Sequence, residues 1–168
     1  MTELTYWDTG IFLAWFLNEQ RQPGEMDGIR YQASLVEQKK VRIITSTITI
    51  VEVLESKLPV PAREQWLNFT RRPDCILFAV TQTIARMAQE IRNYYSLKTD
   101  GYPTVTTPDA IHLATAIHAK CNVFYTLDAQ NKVGKQRGLL PLHGYFAGRY
   151  RLRIEMPNPP DQVQLDLR

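Results

Sequence analysis

The chain of 168 residues is 44% hydrophobic and 22% charged, and its 20 basic and 17 acidic side chains leave a net charge of +3. That length suits one domain with a substantial core, and the charge excess is too small to establish a nucleic-acid partner. No apolar run is long enough to cross a membrane, and the opening MTELTYWD lacks the basic and apolar regions of a signal peptide, so a cytoplasmic protein is expected.

Residues 4–7 form a short strand candidate, and residues 10–17 then turn helical with Ile11, Phe12, Trp15 and Phe16 on one side. Met26, Ile29, Ala33 and Val36 recur at three- and four-residue steps and predict a second amphipathic helix. The β-branched run at 41–45 predicts a buried strand. Residues 47–53 carry a conflict. Their β-branched side chains favour continuing the strand, whereas Ser46 can cap a helix that holds Glu52 two turns in.

Pro61 opens a helix bearing Trp66 and Phe69, and residues 75–80 predict a third strand. After Thr81, the residues Ile84, Met87, Ala88, Ile91, Tyr94 and Tyr95 fit a helical stripe, and residues 99–106, with Gly101 and Pro103, a loop. Thr107, Pro108 and Asp109 predict a helix start, with a threonine N-cap, a proline in first position and an acid in the first turn. Ile111, Ala114 and Ile117 are its expected buried face, and residues 123–126 the fourth strand. Arg149, Arg151 and Arg153 then alternate with Tyr150, Leu152 and Ile154, as in a half-buried strand with one basic face. Prolines at 157–160 end that strand. Strands alternating with helices specify an α/β fold with a parallel sheet. The expected division is a domain at 1–147, followed by a basic strand and loose tail at 148–168.

Four acids, Asp8, Glu52, Asp109 and Asp128, sit just past an apolar or β-branched run or early in the helix that follows one. In an open α/β sheet such positions gather at the carboxyl edge of the strands, where ligands bind. Carboxylates crowded there repel one another, and a hard divalent cation relieves them. With no glycine-rich phosphate loop in the chain, this pattern points to metal-dependent phosphodiester hydrolysis. Each acid also has a local explanation. Asp8 can cap its helix, Asp109 can complement a helix dipole, Asp128 can form a turn, and Glu52 can be a solvated helix residue. Cys75 and Cys121 lie among apolar residues without CxxC spacing, as reduced thiols do. His118 and His143 share no ligand spacing with either cysteine, which excludes a zinc site.

The stretches YWDTGIFLAWF (6–16), STITIVEVLE (46–55), TPDAIHLATAI (107–117) and VFYTLDAQN (123–131) resemble, in order, the PIN-domain nucleases, and most nearly the VapC-type toxins of toxin–antitoxin pairs. The resemblance covers residues 4–142. It implies a three-layer α/β sandwich with a central, mostly parallel sheet flanked by helices, and a helix at 47–56. It further implies that Asp8, Glu52, Asp109 and Asp128 hold Mg²⁺ or Mn²⁺ and carry catalysis. Ser46 and Thr126 are candidates to hydrogen-bond those carboxylates from behind, with local capping as the alternative for each. The implied activity is endoribonuclease, with RNA as substrate and an antitoxin protein as partner. The apolar helices at 10–17 and 26–36 offer surfaces for a homodimer or a partner, with core packing as the alternative. Gly10 replaces the serine that usually follows D-T in the family, and the further acid common after T-x-D is absent, with Asn131 nearby.

Lys132, Lys135 and Arg137 are candidate substrate-binding residues at the rim, and the arginine stripe is a second basic group whose bland alternative is a solvated face. His112, one turn beyond Asp109, is placed to reach substrate phosphate or to form the polar edge of its helix, and reads as the latter. The competing functions are a non-catalytic PIN-fold module that binds RNA or protein, and an RNA-processing PIN nuclease without an antitoxin. A haloacid-type phosphatase would want a second acid at position 10, where glycine stands.

Overall fold

The β-branched and aromatic runs become the strands of one sheet, and the amphipathic stretches between them cross from strand to strand. The structure, a computed structural model, describes residues 2–96, 105–128, 138–142 and 146–159. In chain order the elements are β1 (Glu3–Trp7), α1 (Thr9–Leu17), α2 (Glu25–Glu37), β2 (Val41–Ser46), α3 (Ile48–Glu55), α4 (Val60–Thr70), β3 (Cys75–Phe78), α5 (Gln82–Ser96), α6 (Thr107–His118) and β4 (Val123–Tyr125). A short 3-10 turn (Leu140–Leu142) and the strands β5 (Phe146–Ala147), β6 (Tyr150–Arg151) and β7 (Arg153–Glu155) follow. The main sheet runs β3-β2-β1-β4-β7 with every adjacent pair parallel, while β5 and β6 form a separate antiparallel ribbon.

Side chains alternate across this sheet and build two cores. Tyr6, Ile44 and Phe124 point to the layer of α5 and α6, where they meet Ile84, Ile91 and Leu113. Trp7, Ile43, Val123 and Tyr125 point the other way, to Ile11 and Phe12 of α1, Ile29 of α2, Val53 of α3 and Trp66 of α4. Burying an aromatic or branched side chain of this size contributes about 1.5–3 kcal/mol, so both faces are strongly held. The chain thus adopts the three-layer α/β architecture expected of it.

Four local expectations are corrected. The cap of α6 is Thr106, not Thr107: its side chain accepts from the Asp109 backbone, and the Asp109 carboxylate returns the bond to the Thr106 backbone. The buried face of α6 is also wider than the triad Ile111, Ala114 and Ile117. Ala110 and residues 112–116 are buried, whereas Ile111 and Ile117 are only half-buried, because the helix is packed on the sheet, on α5 and on α3 at once. Ser46 is the last residue of β2, and Thr47 stands at the start of α3 without a side-chain cap bond. The arginine stripe is not one strand. It divides among the turn before β6 (Arg149), β6, paired with β5 (Arg151), and β7, paired with β4 (Arg153), although all three arginines are exposed and Leu152 and Ile154 buried, as alternation predicts. The anticipated junction at 147 and 148 falls in the turn between β5 and β6.

Beyond β7 the chain passes over α2. Pro157 is buried there, and Met156 packs against the core formed by Trp7 and Phe12. Cys75 and Cys121 are both free thiols, and burial pushes each up to about 12 from an ordinary value of 9.0. A rise of that size cuts the reactive thiolate by about a thousandfold at neutral pH. Ellman's reagent should therefore label both cysteines slowly in the native protein and rapidly in denaturant; fast labelling of either in the native state would contradict this burial.

Candidate functional site

The strand order reverses at β1. The chain adds β2 and β3 on one side and returns with β4 and β7 on the other, so β1 and β4 flank the switch point where α/β sheets bind ligands. Asp8 follows β1 there, in an extended conformation that caps α1, with its carboxylate accepting from the Thr9 backbone at 2.7 Å. Thr126, just past β4, donates its hydroxyl to Asp8 Oδ2 at 2.8 Å and accepts the Asp128 backbone N–H at 3.0 Å. Glu52 comes from the second turn of α3. Its Oε2 accepts from the Thr9 hydroxyl and from His112 Nε2, the latter at 2.8 Å. His112 Nε2 also lies 3.9 Å from Asp8 Oδ1, and its Nδ1 lies 2.6 Å from the Tyr6 hydroxyl.

Asp8, Glu52 and His112 therefore form one cluster. Asp109 reaches it electrostatically from the first turn of α6, one turn before His112, while its own Oδ2 is engaged by the Thr106 cap. Asp128 joins through the Thr126 hydroxyl; its side chain is exposed, and its backbone carbonyl accepts from Leu140 N at 3.2 Å. Gly138, at φ 120°, lies so close that a Cβ there would come 2.7 Å from that carbonyl. Ser46 is fully buried at the end of β2, its hydroxyl accepting a long 3.4 Å bond from Ile48 N. Lys132, Lys135 and Arg137, with Asn131 and His143, lie outside the described residues.

The charges are balanced unevenly. Burial raises the pKa of Asp8, His112 and Thr126 pull it down, Asp109 pushes it up again, and the net shift is upward. Burial also raises Glu52, but the bond and charge of His112 and the Thr9 hydroxyl outweigh it and hold Glu52 below its ordinary value. For His112 burial disfavours the cation, yet Glu52, Asp8 and Asp109 together lift its pKa above 6.5. A histidine raised in this way stabilises the fold fully below 6.5, and the contribution is lost as pH rises through the folded value. In EDTA, the melting temperature should fall as pH climbs above 6.5, and His112→Gln should flatten that slope; an equal slope in both proteins would contradict the assignment.

His112 is the residue that sequence reasoning misplaced. It is 1% exposed and sits at the centre of the cluster rather than on a polar edge. Its position three residues after Asp109 puts both on one helix face, which was the available signal. Among the described residues, no group of three or more His, Cys, Asp or Glu side chains stands ready to hold a metal ion. The donors present are nevertheless the kind a hard divalent cation takes, carboxylate oxygens of Asp8, Glu52 and Asp109, and the upward shift of Asp8 marks a place where added positive charge is favourable.

Residues 5–134 match the PIN domain family. The chain belongs to that family. Solved structures share the fold: VapBC2 from Rickettsia felis, bound to a DNA fragment from its promoter, has 16% identity and a TM-score of 0.53, covering 73% of this chain and 86% of its own. VapC20 from Mycobacterium tuberculosis, a sarcin–ricin loop cleaving toxin, has 16% identity and a TM-score of 0.53 over 74% of this chain and 89% of its own. FitAcB from Neisseria gonorrhoeae has 18% identity and a TM-score of 0.52 over 74% and 87%. At such identities the likeness is one of fold. Comparison with curated proteins finds no match. No helix of this PIN domain, among the described residues, is long and apolar enough to cross a membrane.

Proposed function

We propose that this PIN-domain protein is a metal-dependent endoribonuclease and the toxin of a toxin–antitoxin pair. The observation that carries the reading is the convergence of Asp8 and Glu52 on Thr9 and His112 at the switch point of the sheet, with Asp109 within electrostatic reach. Asp8, Glu52 and Asp109 would hold Mg²⁺ or Mn²⁺, with Asp128 at the exposed side of the site. When bound, such a cation supplies an activated water and neutralises charge on the phosphoryl oxygens. The chain's own part is placement. Thr126 fixes one Asp8 oxygen, and the Thr9 backbone fixes the other. Thr126 also ties the Asp128 backbone to the same point.

Lys132, Lys135 and Arg137 would meet the RNA phosphates at the rim, and the exposed arginines of β6 and β7 are the other cationic group available to them. Residues 1–147 would form the nuclease unit, with β7 from the following segment completing its sheet. The structural neighbours from toxin–antitoxin systems support an antitoxin partner that covers the acidic site, and we assign the protein to the cytoplasm as a homodimer. The decisive experiment is cleavage of labelled structured RNA by purified protein with Mg²⁺ or Mn²⁺ beside an EDTA control. Metal-dependent cutting is expected; a folded protein that cuts none of several RNAs in either metal would point instead to a binding module.

A further inference from the structure

The nuclease reading leaves a deeply buried ionisable side chain of the site without a role. His112 is 1% exposed, and both of its ring nitrogens have partners: Nδ1 the Tyr6 hydroxyl at 2.6 Å, Nε2 the Glu52 carboxylate at 2.8 Å. A carboxylate only accepts, so Nε2 must carry the proton of that bond. Tyr6 is itself immobile. It is fully buried near the C-terminal end of β1, stacked on Phe124 at 4.9 Å with the rings 7° apart, and its ring packs edge-on with His112 at 5.8 Å. The ring of His112 is thus locked from behind by the sheet, while its front nitrogen grips Glu52. The grip matters because Glu52 needs one. It projects from α3, a helix with no side-chain cap at its start, and it is a long, part-exposed side chain with several rotamers to lose.

We propose that His112, oriented by Tyr6, is a positioning residue that presents Glu52 to the divalent cation. Among the described residues, the side-chain bonds to Glu52 fall on Oε2, from His112 and from Thr9, and Oε1 would be the oxygen offered to the metal. The arrangement has the form of a metal-site support in which an outer hydrogen bond pre-orients a ligand, and losing such partners typically weakens metal binding or activity about 10–100-fold. The inference rests on the metal-dependent reading of this site, and its test separates the two.

Wild type, Asp8→Asn, His112→Leu, His112→Gln and Tyr6→Phe are titrated with Mn²⁺ by calorimetry without RNA, and their cleavage rates are followed across a Mn²⁺ series. His112→Leu keeps an apolar filling but removes the donor, and should raise the Mn²⁺ dissociation constant about tenfold and move the Mn²⁺ midpoint for cleavage by the same factor. Cleavage at saturating Mn²⁺ should change less. His112→Gln can return an N–H to Glu52 and should recover most of the affinity. Tyr6→Phe preserves the ring and its stack while freeing His112 Nδ1, and should show a smaller loss in the same direction. A folded His112→Leu that binds Mn²⁺ like wild type overturns the inference, as does a loss that His112→Gln fails to repair. Should His112→Leu not fold, wild-type affinity in Tyr6→Phe overturns it equally. Failure of the underlying reading looks different: either wild type binds no Mn²⁺, or Asp8→Asn binds it unchanged.

Discussion

Asp8→Asn is expected to reduce metal-dependent RNA cleavage by at least about a thousandfold, roughly 4 kcal/mol of transition-state stabilisation, while the protein stays folded. Asp8 is the carboxylate most tightly built into the switch point: β1 delivers it, Thr9 and Thr126 hold its two oxygens, and His112 stands 3.9 Å away. Asparagine has the same shape and keeps one oxygen to accept the Thr9 N–H, so the cap of α1 survives. What it loses is the charge that would bind a cation. The same change should make the metal-free protein more stable at neutral pH. Burial has lifted the Asp8 pKa above its ordinary 3.8, so the folded state pays a cost to keep it ionised. With the folded value above the unfolded one, that cost is present at neutral pH and is relieved as pH falls through the folded value toward 3.8. The gain in melting temperature from Asp8→Asn should therefore be largest near pH 7 and vanish in acid. An Asp8→Asn protein that cuts RNA at the wild-type rate would sink the nuclease assignment, and a variant that melts lower at pH 7 would contradict the electrostatics.

Gly28→Ala should lower the melting temperature, against the usual rule for helices. Alanine in a helix interior is ordinarily favoured over glycine by about 1 kcal/mol. Here a Cβ would stand 1.7 Å from the carbonyl oxygen of Pro157 and 2.4 Å from its carbon, both backbone atoms that cannot rotate away. The segment following β7 must lift off α2, exposing Pro157 and disturbing Met156 on the core beneath. Overpacking of this kind costs about 1–3 kcal/mol, and detachment of the segment adds to it, so the clash outweighs the propensity gain. A net loss of about 2 kcal/mol corresponds to roughly 4–8 °C for a domain of this size. Thermal unfolding followed by circular dichroism measures it, and limited proteolysis should show faster cutting near residue 157. A melting temperature at or above wild type would mean that the segment does not bind α2 as closely as the structure has it.

Much of the fold was legible in the chain because its signals are local and periodic. The β-branched run at 41–45, the apolar stripe from Ile84 to Tyr95 and the proline–acid start of α6 each read directly into an element. Two places resisted. Residues 47–53 have strand propensity but form α3, since Thr49 and Val53 are buried from a helix and the Thr49 hydroxyl meets Thr45 at 2.8 Å in the interior. The alternating arginines read as one strand, yet they divide where Leu152 turns inward, because β6 answers to β5 and β7 to β4.

The sequence by itself determined which residues could make strands and helices, that the layers alternate as α/β, and that acids stand at the ends of β1 and β4, in α3 and at the start of α6. These follow from the period of apolar side chains and from chain order, which need no knowledge of distant neighbours. Only the tertiary structure decided that Glu52 of α3 and His112 of α6, 60 positions apart in the chain, share a hydrogen bond, and that Tyr6 holds the histidine from behind. A lone histidine between Ile111 and Leu113 carries no periodic mark of its partners. Its burial is tolerable only because two partners from β1 and α3 satisfy both ring nitrogens, and that condition is met by the packing of three layers rather than by any stretch of the chain.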